Sequence, residues 1–192
     1  MSTVFCRFNG SACELSNRLF GVDPIAVLGG SPIACADPVP GSVVDVSLPT
    51  FAGVNPQRIK ARAYIQDMRR IMGEEGACIF AVRGDVQCVA DGLLDPAPYL
   101  ALEESFLPVL CRQNDNAATI AHYLRSHPRV AEVDYPGFKD APRFDMAAQM
   151  LVHGFGNVID YLCEDMGEAA RIAVSEDDPF DQIDRLEALL GI

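Results

Sequence analysis

The alternation of helical and extended apolar patterns between residues 98 and 190 constrains the fold of this chain most strongly. Apolar stripes with the spacing i, i+3, i+4, i+7 begin at Ala117 and at Phe144, as on one face of a helix. Asp178-Pro179 provides a capping carboxylate and a first-turn proline for a last helix. Short runs of β-prone residues lie between these helices, at 130–135, 156–162 and 170–174. The order helix, strand, helix, strand, strand, helix predicts an α+β domain, with helices on one face of a mainly antiparallel sheet.

The first helix of this half is predicted over residues 98–126 and contains Pro108. Because proline lacks the amide hydrogen that a helix interior uses, we expect two helical pieces that meet at this residue. Asn114 or Asp115 would then cap the second piece, since side-chain oxygens of this kind accept from the first free amides of a helix.

The first half is richer in glycine, proline and short β-prone runs. Unalternated apolar runs bounded by glycine or proline predict strands at 25–28, 33–36 and 43–46, buried on both faces. Apolar residues at helical spacing predict a helix over 56–72, and the runs 77–82 and 86–90 are typical of a hairpin. The predicted class of the whole chain is therefore α/β, with an α+β C-terminal half.

Composition limits the class of protein and its partners. With 49% hydrophobic and 22% charged residues, the 192-residue chain is typical of a globular protein of one domain or two small lobes. No apolar run reaches the roughly 20 residues that cross a bilayer, and the N-terminus lacks the order of a signal peptide, so we expect a cytoplasmic protein. The net charge of −12, concentrated over residues 160–187, would repel the phosphates of nucleic acid.

Cysteine usage agrees with a reducing compartment. The number of cysteines is odd and none forms a Cys-x-x-Cys pair, so neither a disulfide framework nor a zinc site is predicted. We expect most of the seven to be reduced and buried, because free cysteine packs as a small apolar side chain. They are Cys6, Cys13, Cys35, Cys78, Cys88, Cys111 and Cys163.

A series of short motifs in the second half resembles one known family. The chain reads Arg112-Gln-Asn-Asp-Asn-Ala117, His127-Pro128, Tyr135-Pro-Gly137, Gly154-Phe-Gly156 and Arg171-Ile-Ala-Val-Ser-Glu-Asp-Asp178. In this order they resemble the small C-terminal domain of the cysteine/methionine-metabolism enzymes that use pyridoxal phosphate (PLP). That family includes cystathionine synthases and lyases, methionine lyases and O-acetylhomoserine sulfhydrylases. The resemblance implies that residues 92–192 form this domain, and that residues 1–91 are a reduced remnant of the cofactor domain of a fold type I PLP enzyme.

The resemblance also implies roles for two residues. Arg171 occupies the position of the arginine that grips the α-carboxylate of the substrate, a role that the planar guanidinium fork suits. The alternative is that Arg171 pairs with one of the many acids around it. Asp45, in Val43-Val-Asp45-Val, resembles the aspartate that pairs with the pyridinium nitrogen of PLP.

The catalytic lysine of the family is what the chain does not match. Its motif, Ser-x-Thr-Lys, does not occur in these residues, and the two lysines, Lys60 and Lys139, follow no such motif. We therefore predict no catalytic residue and no cofactor, and a degenerate homologue that serves as a binding or regulatory protein. Its expected partners are a second copy or a full-length member of the family. The alternative is an active PLP enzyme of sulfur amino-acid metabolism with an atypical lysine.

Overall fold

The computed structural model describes residues 2–26, 40–45, 53–55, 58, 60–68, 79–84, 94–95, 97–164 and 167–190. These residues form a five-stranded sheet in the first half and a three-stranded sheet in the second. The mixture of helices and sheets agrees with the predicted α/β class.

The five-stranded sheet combines parallel and antiparallel pairs. Its strands are β1 (Ser2–Arg7), β2 (Ile25–Ala26), β3 (Val43–Asp45), β4 (Ala63–Asp67) and β5 (Ile79–Gly84). They lie in the order β1-β5-β4-β3-β2, with β2, β3 and β4 parallel to one another and β5 antiparallel to both β4 and β1.

Helix α1 (Ala12–Phe20) covers one face of this sheet. Ser11 starts it with a capping box, in which Ser11 accepts from the Glu14 amide and Glu14 accepts from the Ser11 amide. Leu15 of α1 packs in one buried cluster with Val43, Ile65 and Phe80 from three strands. We did not predict β1 or α1, although Ser11-Ala-Cys-Glu14 is the sequence signature of a capping box.

The predicted helix over 56–72 is wrong, because Ala63–Asp67 is a strand inside the sheet. The first four residues of β4 are buried. A strand buried on both faces has no polar alternation, and its apolar residues then match helical spacing by coincidence. The rest of that predicted helix lies largely outside the described residues.

The other predicted elements of the first half are covered in part. The strands 25–28 and 43–46 are present where they are described, at β2 and β3. Both residues of β2 are exposed, so the prediction that this strand is buried on both faces is wrong. The first arm of the predicted hairpin is a strand, β5, but β1 and β4 occupy both of its edges, so the predicted pairing of this strand with 86–90 is wrong. The second arm, 86–90, and the predicted strand 33–36 lie outside the described residues.

The second half has the predicted order of elements. They are α2 (Ala97–Ser126), β6 (Val130–Asp134), α3 (Phe144–Met150), β7 (Val158–Cys163), β8 (Ala170–Ala173) and α4 (Pro179–Leu190). The sheet order is β6-β7-β8, and both pairs are antiparallel. Ile120, Leu124, Ile159, Ile183 and Leu186 share one buried cluster between this sheet and the helices. The predicted α+β arrangement is therefore confirmed.

Helix α2 is continuous, which corrects the predicted break at Pro108. Pro108 is an exposed interior residue of a 30-residue helix. Packing at both ends supports the helix across this proline, since Leu102 packs against a cluster of the first half and Ile120 lies in the core of the second. Asn114 and Asp115 consequently lie inside the helix and cap nothing.

Helix α3 joins the two halves. Ala147 and Met150 pack in one buried cluster with Val44 and Tyr64 of the five-stranded sheet. The Asn55 amide donates to the Met150 carbonyl at 2.8 Å. Val44 thus faces α3, whereas its neighbour Val43 faces α1.

Candidate functional site

Arg171 lies on the face of the three-stranded sheet that points away from the helices. Its neighbours on β8, Ala170 and Ile172, pack against the core of the second half, so alternation places Arg171 on the opposite face. Asp160 of β7 is its cross-strand partner. The Arg171 Nε donates to Asp160 Oδ1 at 2.6 Å, and Nη2 donates to Oδ2 at 2.7 Å.

The bidentate pair shifts the pKa values of both side chains. Hydrogen bonds from Arg171 lower the pKa of Asp160, while partial desolvation opposes this shift. Hydrogen bonding to Asp160 raises the pKa of Arg171, and the charge of Asp134 adds to the effect. The Asp160 carboxylate therefore satisfies the guanidinium in the same geometry that a substrate carboxylate would use.

The surroundings of Arg171 are acidic. An open groove of about 670 Å³ borders the pair, and its walls include Glu132, Asp134 and Asp160. Arg143, the second arginine near this face, donates to Asp134 at 2.5 Å. Three carboxylates thus flank Arg171, and this arrangement disfavours a further anion.

Buried amides hold the segment that follows β8. Asn116 of α2 is 7% exposed, and its Nδ2 donates to the carbonyls of Ser175 at 3.0 Å and Asp177 at 2.7 Å. The Gln182 Nε2 donates to the same two carbonyls, and its Oε1 accepts from the Ser175 amide. These contacts fix the connection from β8 to α4 against α2.

A second amide anchors the segment with the Gly-Phe-Gly motif. Asn114 Nδ2 donates to the carbonyl of His153 at 2.5 Å. His153 and Gly154 have positive φ angles of 63° and 117°, and a Cβ on Gly154 would lie 2.7 Å from the Cβ of Asn114. Glycine is needed here both for the backbone angle and for the close approach to α2.

Asp45 lies in the other sheet, half-buried at the end of β3. It is two residues from Val43, so it shares the face that α1 covers. The bidentate partner of Arg171 is Asp160 and not Asp45. The roles that the resemblance implies for Asp45 and Arg171 remain predictions.

The two lysines lie at exposed positions. Lys60 lies just before β4, and Lys139 lies in the turn that follows Tyr135. An amine that forms an imine with PLP has to be desolvated, because desolvation lowers its pKa and frees the lone pair. Neither lysine meets this requirement, and Arg171 already holds a carboxylate. These residues do not fit a PLP site.

Asp160 is the important residue that sequence reasoning missed. The sequence places several acids near Arg171, and only the register of β7 against β8 selects one of them. Within the described residues, no group of three or more His, Cys, Asp or Glu side chains could hold a metal ion. Over the same residues, no helix is both long and apolar enough to cross a membrane.

Comparisons with known proteins relate a part of this chain to one family. Residues 109–177 match the family model described as Cys/Met metabolism PLP-dependent enzyme. Over 69 residues the chain is 36% identical to homocysteine/cysteine synthase of Kluyveromyces lactis, and this alignment covers 36% of the chain and 15% of that protein. Over 61 residues it is 39% identical to a probable cystathionine gamma-synthase of Herpetosiphon aurantiacus, and this alignment covers 32% of the chain and 19% of that protein. The chain thus spans less than a fifth of either relative.

A solved structure shows the same fold over more of the chain. The putative O-acetylhomoserine (thiol)-lyase of Campylobacter jejuni, which contains N'-pyridoxyl-lysine-5'-monophosphate, matches with a TM-score of 0.59 and 12% identity. The match covers 79% of this chain and 57% of that one. The chain therefore has part of the fold of that protein.

Proposed function

We propose that this chain, whose residues 109–177 match the family model of the Cys/Met metabolism PLP-dependent enzymes, is a catalytically degenerate homologue that acts as a non-catalytic binding or regulatory protein. The observation that carries the proposal is the bidentate pair between Arg171 and Asp160. In this proposal residues 92–192 are the C-terminal domain of the family, and residues 1–91 are a reduced cofactor domain.

The pair supports a loss of substrate binding at Arg171. A substrate carboxylate would have to displace Asp160, which belongs to the same sheet and is therefore present at a high effective concentration. It would also have to enter a groove that already holds Glu132 and Asp134. An amino-acid substrate would bind weakly against this competition.

The lysines support a loss of imine chemistry. In the order of the family motifs, the catalytic lysine follows the strand that contains Asp45 and precedes the C-terminal domain. Its expected place is therefore inside this chain, where Lys60 is the single lysine between residues 46 and 92. Lys60 is exposed and lacks the motif, so it is poorly suited to act as a tether or a base.

We propose that the protein associates with itself or with a full-length member of the family, in the cytoplasm. The match of residues 109–177 to the family model supports the proposed association. The net charge of −12 supports a protein partner over nucleic acid. The competing function is an active PLP enzyme with an atypical lysine, and the similarity to homocysteine/cysteine synthase favours it.

A cofactor test separates the two functions. The purified protein is mixed with PLP, reduced with borohydride, digested and analysed by mass spectrometry, with Lys60→Ala and Lys139→Ala as matched variants. We expect no stoichiometric pyridoxyl adduct on either lysine and no turnover of O-acetylhomoserine or cystathionine. A full-length family enzyme serves as the positive control.

The result that would contradict the proposal is also specific. It is a stoichiometric adduct on one lysine, lost in the corresponding alanine variant and accompanied by turnover of either substrate. That outcome would identify an active enzyme whose lysine does not follow the family motif.

A further inference from the structure

Strand β8 is an edge strand with backbone groups directed outward. In the described part of the chain it pairs with β7 alone. The Val174 amide donates to the Asn157 carbonyl of the β7 side at 2.8 Å, and backbone groups alternate in direction along a strand. Ile172 therefore shares the direction of Val174, while the amides and carbonyls of Arg171 and Ala173 point to the open edge.

The opposite edge of the same sheet has features that discourage pairing. Strand β6 contains a register irregularity between Val130 and Glu132. It also carries Glu132 and Asp134, and Asp134 is bound by Arg143 from the following turn. Bulges and charged side chains are the devices by which proteins protect exposed edges. On β8 the one charged residue is Arg171, and Asp160 neutralises it.

A shallow apolar groove lies beside β8. It has a volume of about 160 Å³ and lies between β8 and α4, with Ile172, Leu186 and Leu189 among its walls. Leu189 is 79% exposed, the largest exposure among the large apolar side chains of the described residues. The walls include one charged residue, Arg185, and no acid, although the chain contains 27 acids.

We propose that this edge and groove bind the same edge and groove of a second copy of the chain. Two β8 strands would pair antiparallel about Ile172, so that each Arg171 lies opposite Ala173 of the other copy. The outward amides and carbonyls of these residues would then form four hydrogen bonds and join the two sheets into one of six strands. The register places no like charges directly opposite each other on the strands.

Charge and symmetry make this surface suitable for a second copy. Two chains of net charge −12 repel each other, and this repulsion is weakest at the groove, whose walls contain no acid. A twofold axis lets the same patch meet itself. Stable interfaces bury about 800 Å² on each partner. Two short strands do not bury this area by themselves, so Leu189 and the side of α4 that carries it have to take part in the interface.

Sedimentation velocity over the micromolar range tests the proposal in the full chain. We expect a monomer–dimer equilibrium whose dissociation constant rises at least about tenfold in Leu189→Glu, because the twofold axis counts the change twice. Ala173→Pro should act in the same direction, since it removes an amide that points to the open edge and leaves the bonds to β7 intact. Phe180→Glu is the matched control: it makes the same charge change on α4 at a residue that is 69% exposed and lies outside the groove.

Amide hydrogen exchange locates the interface. Exchange at Arg171 and Ala173 should slow as the protein concentration rises, while Ile172, already bonded to β7, should change little. Far-UV circular dichroism establishes whether each variant is folded. If Ala173→Pro does not fold, Leu189→Glu alone tests the proposal.

Three results would overturn the proposal. They are a monomer throughout the micromolar range, a dimer that Leu189→Glu does not weaken, or a dimer without protection at Arg171 and Ala173. The proposal gives a location to the self-association proposed above, and its failure would leave the cofactor test unaffected.

Discussion

Replacement of Asn116 by alanine tests the amide network that holds β8 and α4 against α2. The side chain is 7% exposed, and its Nδ2 donates to the carbonyls of Ser175 and Asp177. Both carbonyls also accept from Gln182, at 3.3 and 2.9 Å. The single variant therefore removes two hydrogen bonds but leaves each carbonyl one donor.

This geometry sets the size of the effect. A hydrogen bond contributes about 0.5–1.5 kcal/mol net. Because the carbonyls keep a donor, we expect Asn116→Ala to lower the free energy of unfolding by about 1–2 kcal/mol. In a protein of this size the melting temperature should fall by roughly 2–4 °C for each kcal/mol. Gln182→Ala should cost more, because it also removes the oxygen that accepts from the Ser175 amide.

The double variant carries the sharper prediction. With both amides removed, the carbonyls of Ser175 and Asp177 lose both donors, and that of Ser175 lies in a half-buried residue. The double variant should thus be less stable than the sum of the single variants predicts, by about 0.5–1 kcal/mol.

Urea unfolding followed by circular dichroism measures all of these values. Thr119→Ala is the control on the same helix; its exposed hydroxyl bonds within the helix, so the change should stay within about 0.5 kcal/mol. A stability of Asn116→Ala equal to that of the parent, or strict additivity in the double variant, would refute the shared-acceptor network.

Two further predictions concern the segment after α3 and the ion pair. Gly154→Ala should destabilise the protein by about 2 kcal/mol or more in the same urea assay, since φ is 117° and the new Cβ would meet Asn114 at 2.7 Å. The control is Gly167→Ala, which should be near neutral because Gly167 has open space around it. Equal effects of the two substitutions would contradict this reasoning. Asp160→Asn should lower stability at neutral pH by less than about 1 kcal/mol, because the pair with Arg171 is partly exposed. Since hydrogen bonding lowers the pKa of Asp160, its contribution is present above the usual aspartate pKa and is lost as pH falls through the lowered value; the difference between parent and variant should shrink below about pH 4, and a constant difference would exclude this linkage.

The second half of the chain could be predicted from sequence because its elements are amphipathic. The stripe that begins at Ala117 puts apolar residues on one face of a helix, and Glu132-Val133-Asp134 in β6 alternates between acidic and apolar residues, so the period of each pattern identifies the element. The resemblance added the order of the motifs, and the family match confirms it. The prediction of a helix break at Pro108 was wrong, because Pro108 lies inside a helix that packing at both ends supports.

The first half was less predictable because its central strand β4 is buried on both faces. Residues 63–66 are all buried, and such a strand has neither the period of a half-exposed strand nor that of a helix. Helix α1 was missed for a different reason. It has a clear capping box at Ser11, but it is short and lies in a region dominated by glycine, proline and β-prone residues.

The partner of Arg171 could not be predicted because it depends on register. Acids are frequent near Arg171 in the sequence, and a shift of one residue between β7 and β8 would move Asp160 to the other face of the sheet. The observed register places Asp160 opposite Arg171 at a non-hydrogen-bonded position, where side chains approach most closely.

The same register means that the proposed role of the Arg171–Asp160 pair and the proposed dimer contact of β8 use different groups and can be tested separately. The side chain of Arg171 lies on the outer face, where Asp160 binds it, whereas its backbone groups lie in the plane of the sheet and point to the open edge. A variant that changes the side-chain pair alone, such as Asp160→Asn, should therefore alter the charge of the outer face and leave the backbone edge intact. We expect its dimer dissociation constant to stay within about threefold of the parent value, since it removes a partly exposed charge outside the proposed contact. Sedimentation velocity measures this directly. A large loss of association in Asp160→Asn, with Leu189→Glu unaffected, would move the interface from the edge of the sheet to its outer face.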